Sequence, residues 1–307
     1  MFAIRGAIVC LAFFGVMYCA LSCGVALGWL ALQRIPKTET PTSAGLLFTL
    51  RMFPLGASTV VAIFLTLPSF WLMEGKSFDE DPMTFLLAGF GLLLLVGGAT
   101  RVLRAESRTS RAVSEWLRSF GSDHESGIAA MSAEKGAPAL MLVGLCRPKV
   151  MVSDMATAVL SENELRVAIR HELGHHRSWD NLKKLLINAT PFPGMSGMER
   201  AWREAAELAA DDSAVETRQD ALDLASALIK LSRPAKRWAE PELASGLVCA
   251  SSAISLRVQR LLEWHDGRRF HKRWALTLSS MAILTLVASN YGTALVLTHR
   301  LTELLVP

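Results

Sequence analysis

The chain has 307 residues, 51% of them hydrophobic and 20% charged, with a formal net charge of +4 at pH 7 and a mean hydropathy of +0.32. That is too apolar for an ordinary soluble domain carrying so much charge. The basic excess flanks apolar blocks instead of forming a stripe interleaved with aromatics, which argues against a nucleic-acid partner. The five cysteines, at 10, 19, 23, 146 and 249, include no C-x-x-C pair and read as reduced packing residues, neither disulfides nor ligands.

Taken in chain order, the apolar content falls in four uncharged blocks, about 7–32, 52–73, 83–100 and 274–298. Each is long enough to cross a hydrocarbon core of about 30 Å, the third only just, which predicts four spans. Ala20-Leu21-Ser22-Cys23 faintly resembles a lipoprotein cleavage site, but the first apolar run is too long for a signal peptide, so an uncleaved span is expected. Arg34, Lys37 and Arg51 lie between the first two blocks. Arg101, Arg104, Arg108 and Arg111 follow the third, and Arg268, Arg269, Lys272 and Arg273 precede the fourth. The loop between the second and third blocks is acidic, with Glu74, Asp79, Glu80 and Asp81. The positive-inside rule then places both ends of the chain outside and residues 101–273 in the cytoplasm, with the basic flanks against anionic lipid. The expected organisation is a membrane region over 1–100, a cytoplasmic domain over 101–273, and a fourth span with a short outside tail over 274–307.

Within the cytoplasmic segment, 101–120 reads as a charged juxtamembrane helix. Short apolar runs between 128 and 153 predict a small sheet or hairpin, whose edge is a candidate for holding an extended peptide. Ser161 and Glu164 form an S-x-x-E capping box opening a helix expected over 161–187. Pro191 to Met195 is a breaker, a candidate loop over the site. Further helices are expected over 203–212, 220–231 and 242–264.

The helix after Ser161 carries His171-Glu172-Leu173-Gly174-His175, an H-E-x-x-H. Histidines four apart share one helix face and can share one metal ion, while Glu172 beside them can take a proton from the attacking water. His176 points about 100° away and is not expected to be a ligand. A catalytic zinc needs a third protein ligand, and Glu207, 32 residues past His175, is the candidate. Asp211, one turn on, can hold a ligand imidazole by hydrogen bond. Alone, 203–212 would read as a solvated acidic helix; its place after H-E-x-x-H favours the ligand reading. The oxyanion stabiliser stays open between His124, His265, His271 and an arginine, with tyrosine excluded because Tyr18 and Tyr291 fall in expected spans.

The E-x-x-x-D from Glu207 to Asp211, after H-E-x-x-H, resembles the integral-membrane metallopeptidases, both the CAAX prenyl protease/HtpX group and the BlaR/MecR group of sensor-transducers. The second is closer. Gly144-Leu145-Cys146-Arg147-Pro148-Lys149-Val150-Met151-Val152, Leu160 to Leu165, the H-E-L-G-H run with Asp180 behind it, and Glu207 to Asp211 follow in its order, and Arg257-Val258-Gln259-Arg260-Leu261-Leu262 is similar too. The resemblance covers about residues 100–270. It implies Zn2+ held by His171, His175 and Glu207, with Glu172 as general base. The chain carries no large penicillin-binding domain before Pro307, so direct β-lactam sensing is not implied. The expected fold is mainly α: four transmembrane helices with a cytoplasmic α+β zincin-like metallopeptidase domain between spans three and four. The expected function is a zinc endopeptidase of the bacterial cytoplasmic membrane acting in regulatory proteolysis. Its substrate would be a protein such as a cytosolic transcriptional repressor, and a separate membrane sensor would be its partner. A non-proteolytic membrane scaffold keeping the fold is the alternative.

Overall fold

A computed structural model of the chain describes residues 2–34, 43–73, 82–118, 128–131, 140–143, 149–232, 244–246, 251–265 and 291–305. The described residues are mainly helical, as the sequence predicts. Three helical stretches are long and apolar enough to cross a membrane: Ala3–Leu32, Ala44–Met73 and Pro82–Arg111. The first lies in α1 (Phe2–Leu32). The second runs through α2 (Ala44–Val61), a π-helical turn (Ala62–Thr66) and α3 (Leu67–Met73). The third opens α4 (Pro82–Arg118). Large side chains such as Leu86 and Leu93, on one face of α4, are about 70% exposed (70% and 71%), as a lipid-facing surface requires. The fourth expected span, 274–298, lies mostly outside the described residues, which resume with α11 (Tyr291–Leu305).

One expectation changes at once. The third span and the juxtamembrane helix over 101–120 are a single helix to Arg118, because nothing between Thr100 and Arg118 breaks helical geometry when the apolar stretch gives way to charge. The helices of the bundle cross closely: a Cβ on Gly15 would stand 3.1 Å from Gly91 Cα, so neither position has room for a side chain.

Beyond α4 a four-stranded sheet forms in the order β1-β3-β2-β4, from β1 (Ile128–Met131), β2 (Leu140–Val143), β3 (Lys149–Ser153) and β4 (Ala244–Gly246). β2 and β3 pair antiparallel, Leu140 opposite Val152 and Leu142 opposite Val150, so four apolar side chains share one face. The turn quoted in the family resemblance, 144–148, lies outside the described residues. β1 adds parallel to β3, and β4 antiparallel to β2. The helix expected over 242–264 is thereby corrected. Ala244–Gly246 is a strand because its backbone pairs with β2, and the described helix is α10 (Ser251–Leu262).

The apolar sheet face packs on α6 (Glu162–Arg177) through Val167 and Ala168, and on α9 (Arg218–Ser232) through Ala221, Leu224, Ala225, Leu228 and Leu231. A short helix, α5 (Asp154–Val159), leads into α6. The capping box is present in full: Ser161 Oγ accepts from Glu164 N–H at 3.4 Å, and Glu164 Oε2 accepts from Ser161 N–H at 2.7 Å. Glu164 does more than cap, since it also accepts from Ser226 Oγ (2.5 Å) and Lys230 Nζ (2.8 Å) on α9.

The helix expected over 161–187 is broken. α6 ends at Arg177 and α7 spans Asp180–Ala189, with Trp179 between them at φ 57°. A left-handed tryptophan costs about 1–2 kcal/mol, so the break is held against an intrinsic preference. α8 (Ser196–Ala214) then returns along α6.

The spans and this helical layer share a core. Ala26 of α1 and Leu47 of α2 are buried together with Ile187, Met195, Met198, Trp202 and Ala206. Arg51 of α2, 1% exposed, reaches across this junction. Its Nε bonds Glu199 Oε1 at 2.9 Å, and its guanidinium also donates to the carbonyls of Ile187 and Thr190 at the end of α7. Tyr18 of α1 donates to the Thr190 carbonyl as well (3.2 Å) and meets Phe192 edge-on.

Candidate metal centre

On α6, residues 171 and 175 project from one face, as their spacing requires, and both are buried. Their Nε2 atoms stand 3.2 Å apart. α8 brings Glu207 opposite, with Oε2 3.6 Å from His171 Nε2 and Oε1 3.5 Å from His175 Nε2. Two donors bound tetrahedrally at about 2.0–2.1 Å from a zinc ion lie about 3.3 Å apart. The three separations lie near that edge length, with a different Glu207 oxygen turned toward each histidine. His171, His175 and Glu207 form the one group among the described residues that could hold a metal ion.

The remaining ring nitrogens are engaged by carboxylates. Asp211 Oδ1 lies 2.9 Å from His171 Nδ1, and Asp180 Oδ2 lies 2.8 Å from His175 Nδ1. The hydrogen bond to Asp180 fixes the His175 tautomer, and the close Asp211 carboxylate draws Nδ1 of His171 to its side, so that both Nε2 atoms face the shared point. The break at Trp179 makes the second one possible: it turns the chain so that Asp180, five residues past His175, comes back to its ring. A helix continued through 178–180 would carry Asp180 away from that nitrogen.

The approach of α6 to α8 depends on Gly174. A Cβ there would collide with Ser213 Oγ and stand 3.3 Å from Ala210 Cα, so the absent side chain lets the helices close at the level of the donors. Glu172, fully buried on α6, shares the site, and its charge acts on Arg257.

Arg257 of α10 is a component whose role the sequence did not assign. Its Nε and Nη2 donate to Asp211 Oδ2 and Oδ1 at 2.7 and 2.6 Å, and its Nη1 donates to Glu207 Oε2 at 3.0 Å. A signal existed, because position 257 falls on the apolar stripe marked by Ile254, Val258 and Leu261, where a charge must find buried partners.

The electrostatics favour a cation. Burial alone would raise the Asp211 and Glu207 carboxyls, but Arg257 and His171 outweigh it and hold both below the usual carboxylate range. Burial likewise favours a neutral His171, yet the Asp211 and Glu207 carboxylates raise it to about 9. Four carboxylates, Glu172, Asp180, Glu207 and Asp211, face two cationic side chains, Arg257 and Lys183, whose Nζ lies 3.1 Å from Asp180 Oδ1. With neutral imidazoles, a divalent ion closes the formal balance.

A family profile described as BlaR1 peptidase M56 matches residues 87–261, more than half the chain. The chain belongs to that family. No curated protein matches it. M56 peptidases are metallopeptidases, and the matched region takes in the donor triangle, both carboxylate–histidine pairs and Arg257.

Other expectations resolve individually. His176 lies off the donor triangle, its ring 6.5 Å from that of Trp179, and His265 is exposed with Nδ1 2.6 Å from the Glu263 carbonyl. His124 and His271 lie outside the described residues. The 191–195 breaker packs on the spans, Met195 joining the core of Ala26 and Leu47. Glu207 lies 11 residues beyond Ser196, about 16 Å along α8, and Phe192 packs on Tyr18 of the first span instead.

Proposed function

We propose that the protein is a membrane zinc endopeptidase in which His171, His175 and Glu207 hold the ion. The observation carrying this reading is the donor triangle, with separations of 3.2, 3.5 and 3.6 Å and both histidine Nδ1 atoms committed to carboxylates. Two imidazoles and a carboxylate suit zinc. Bound there, zinc supplies a Lewis acid and lowers the pKa of a water toward 7. Glu172 takes the proton from the attacking water and delivers it to the leaving amine. Asp211 and Asp180 keep the rings oriented. Glu207 is the ligand with measurable exposure, 20%, so access to the site is expected from its side.

The active site faces the cytoplasm in this reading. Arg101, Arg104, Arg108 and Arg111, exposed where α4 leaves its apolar stretch, support that orientation. The substrate would be a cytosolic or membrane-proximal protein, such as a transcriptional repressor, cleaved when a partner sensor signals.

The test is metal content of detergent-purified wild type beside Glu207→Ala, with cleavage followed in Glu172→Gln. One zinc per chain, sharply weakened in Glu207→Ala, and retained zinc without cleavage in Glu172→Gln, are expected. Zinc binding indifferent to position 207 would refute the ligand set. Identical protein N-termini in cells carrying wild type or Glu172→Gln would favour a non-proteolytic scaffold.

A further inference from the structure

Arg257 is 3% exposed and comes from a helix that supplies no metal ligand, yet its guanidinium touches both a proposed ligand and the partner of another. Glu207 and Asp211 are one turn apart on α8, and the fork spans them, with two nitrogens on Asp211 and a third on Glu207. A guanidinium is planar and rigid, so fixing two of its edges on Asp211 fixes where its third N–H reaches. That N–H takes Glu207 Oε2, which lies 3.6 Å from His171 Nε2, while Oε1 lies 3.5 Å from His175 Nε2.

We infer that Arg257 is a positioning residue of the metallocentre: its fork fixes the orientation of the Glu207 carboxylate together with that of the aspartate beside His171. The inference rests on the metal reading given above. A carboxylate swinging freely could give both oxygens to the ion and occupy the position that water needs. With Oε2 held by Arg257, the Glu207 carboxylate keeps one orientation toward the two histidines. The same cation offsets part of the charge of three buried carboxylates and the partly exposed Glu207. A lysine cannot substitute: its compact ammonium carries charge but cannot bridge two carboxylates in fixed geometry.

A neighbouring ion pair provides the control. Arg260 on the same helix donates to Asp212 Oδ2 (2.7 Å) and the Leu208 carbonyl (3.3 Å), tying α10 to α8 away from the donors. The experiment compares full-length wild type, Arg257→Gln, Arg257→Lys and Arg260→Gln in detergent. It measures zinc affinity by chelator competition and visible absorption after cobalt substitution, which reports coordination number. Arg257→Gln and Arg257→Lys should both weaken zinc binding, by about 10–100-fold, and lose four-coordinate cobalt intensity, while Arg260→Gln stays within about twofold of wild type. Wild-type affinity and cobalt spectrum in Arg257→Lys would overturn the inference, leaving only a need for charge. Equal losses in Arg257→Gln and Arg260→Gln would overturn it too, by reducing Arg257 to a structural tie. Should Arg257→Gln not fold, Arg257→Lys carries the comparison. No metal in the wild type would overturn the metal reading and this inference together, whereas metal in the wild type with unchanged variants overturns this inference alone.

Discussion

Replacing Gly174 with alanine tests how tightly the metal site depends on the spacing of two helices. The added Cβ would stand 3.3 Å from Ala210 Cα and 3.4 Å from the Ala210 carbonyl, and it would collide with Ser213 Oγ. A hydroxyl can rotate, but Ala210 presents backbone, so α8 must move by a few tenths of an ångström. Overpacking of this kind costs about 1–3 kcal/mol, and alanine returns about 1 kcal/mol of helix propensity, for a net loss of up to about 2 kcal/mol. The larger effect falls on the metal. Ala210 lies between Glu207 and Asp211, so moving α8 displaces the proposed third ligand and the carboxylate beside His171 together. Donor separations already near the edge length of a zinc tetrahedron leave little slack, and zinc affinity should fall at least about tenfold. Ser213→Ala alone loses a local bond to the Ala210 carbonyl (2.8 Å) and should change stability by less than about 0.5 kcal/mol. The double variant should regain part of the loss, with a coupling of about 1 kcal/mol. Thermal unfolding in detergent and chelator competition measure both quantities. Wild-type stability and zinc affinity in Gly174→Ala would refute the reasoning.

Two further predictions concern protonation. Glu164 joins α6 to α9 and, although burial alone would raise it, Lys230, Ser226 and the Ser161 N–H hold it at about 2, well below the usual glutamate range. Its folded value is the depressed one, so its contribution is complete above about pH 4.5 and is lost as pH falls toward 2. Glu164→Gln should lower stability by about 1–3 kcal/mol at pH 7, and the gap from wild type should shrink between pH 5 and 3; a gap independent of pH would contradict the ion pairing. In the metal-free protein His171 sits at about 9, so zinc must displace its proton at neutral pH. Apparent zinc affinity should therefore rise about tenfold per pH unit between 6 and 8, after correction for the chelator; a flat profile would mean that His171 is already neutral.

The parts of the site that were legible share one helical face or one turn. His171 and His175, Glu207 and Asp211, and the Ser161–Glu164 capping box are each set by spacing within a helix, and each stands where spacing puts it. The break after Arg177 was not legible, because Ser178-Trp179 is neither a glycine nor a proline signal, and the left-handed tryptophan is stabilised by contacts made elsewhere. The role of Arg257 was hidden for a different reason: its partners lie 46 and 50 residues away, and only packing of α10 on α8 brings them together. Ala244–Gly246 has no strand propensity of its own and becomes a strand by pairing with β2.

The junction at Arg51 bears on what counts as the enzyme. Glu199, whose charge Arg51 meets, begins the helix that carries Glu207, and the core around Trp202 is completed by Ala26 and Leu47 from the spans. A catalytic module merely leashed to a bilayer would keep its shape when cut free. Here the cut would strip the cation from Glu199 and from the end of α7, and bare Met195, Met198 and Trp202 to water. The helices long and apolar enough to cross a bilayer are thus part of the wall against which the half carrying the histidine–glutamate cluster is built, so the two halves are constrained to vary together and neither is a freely exchangeable part.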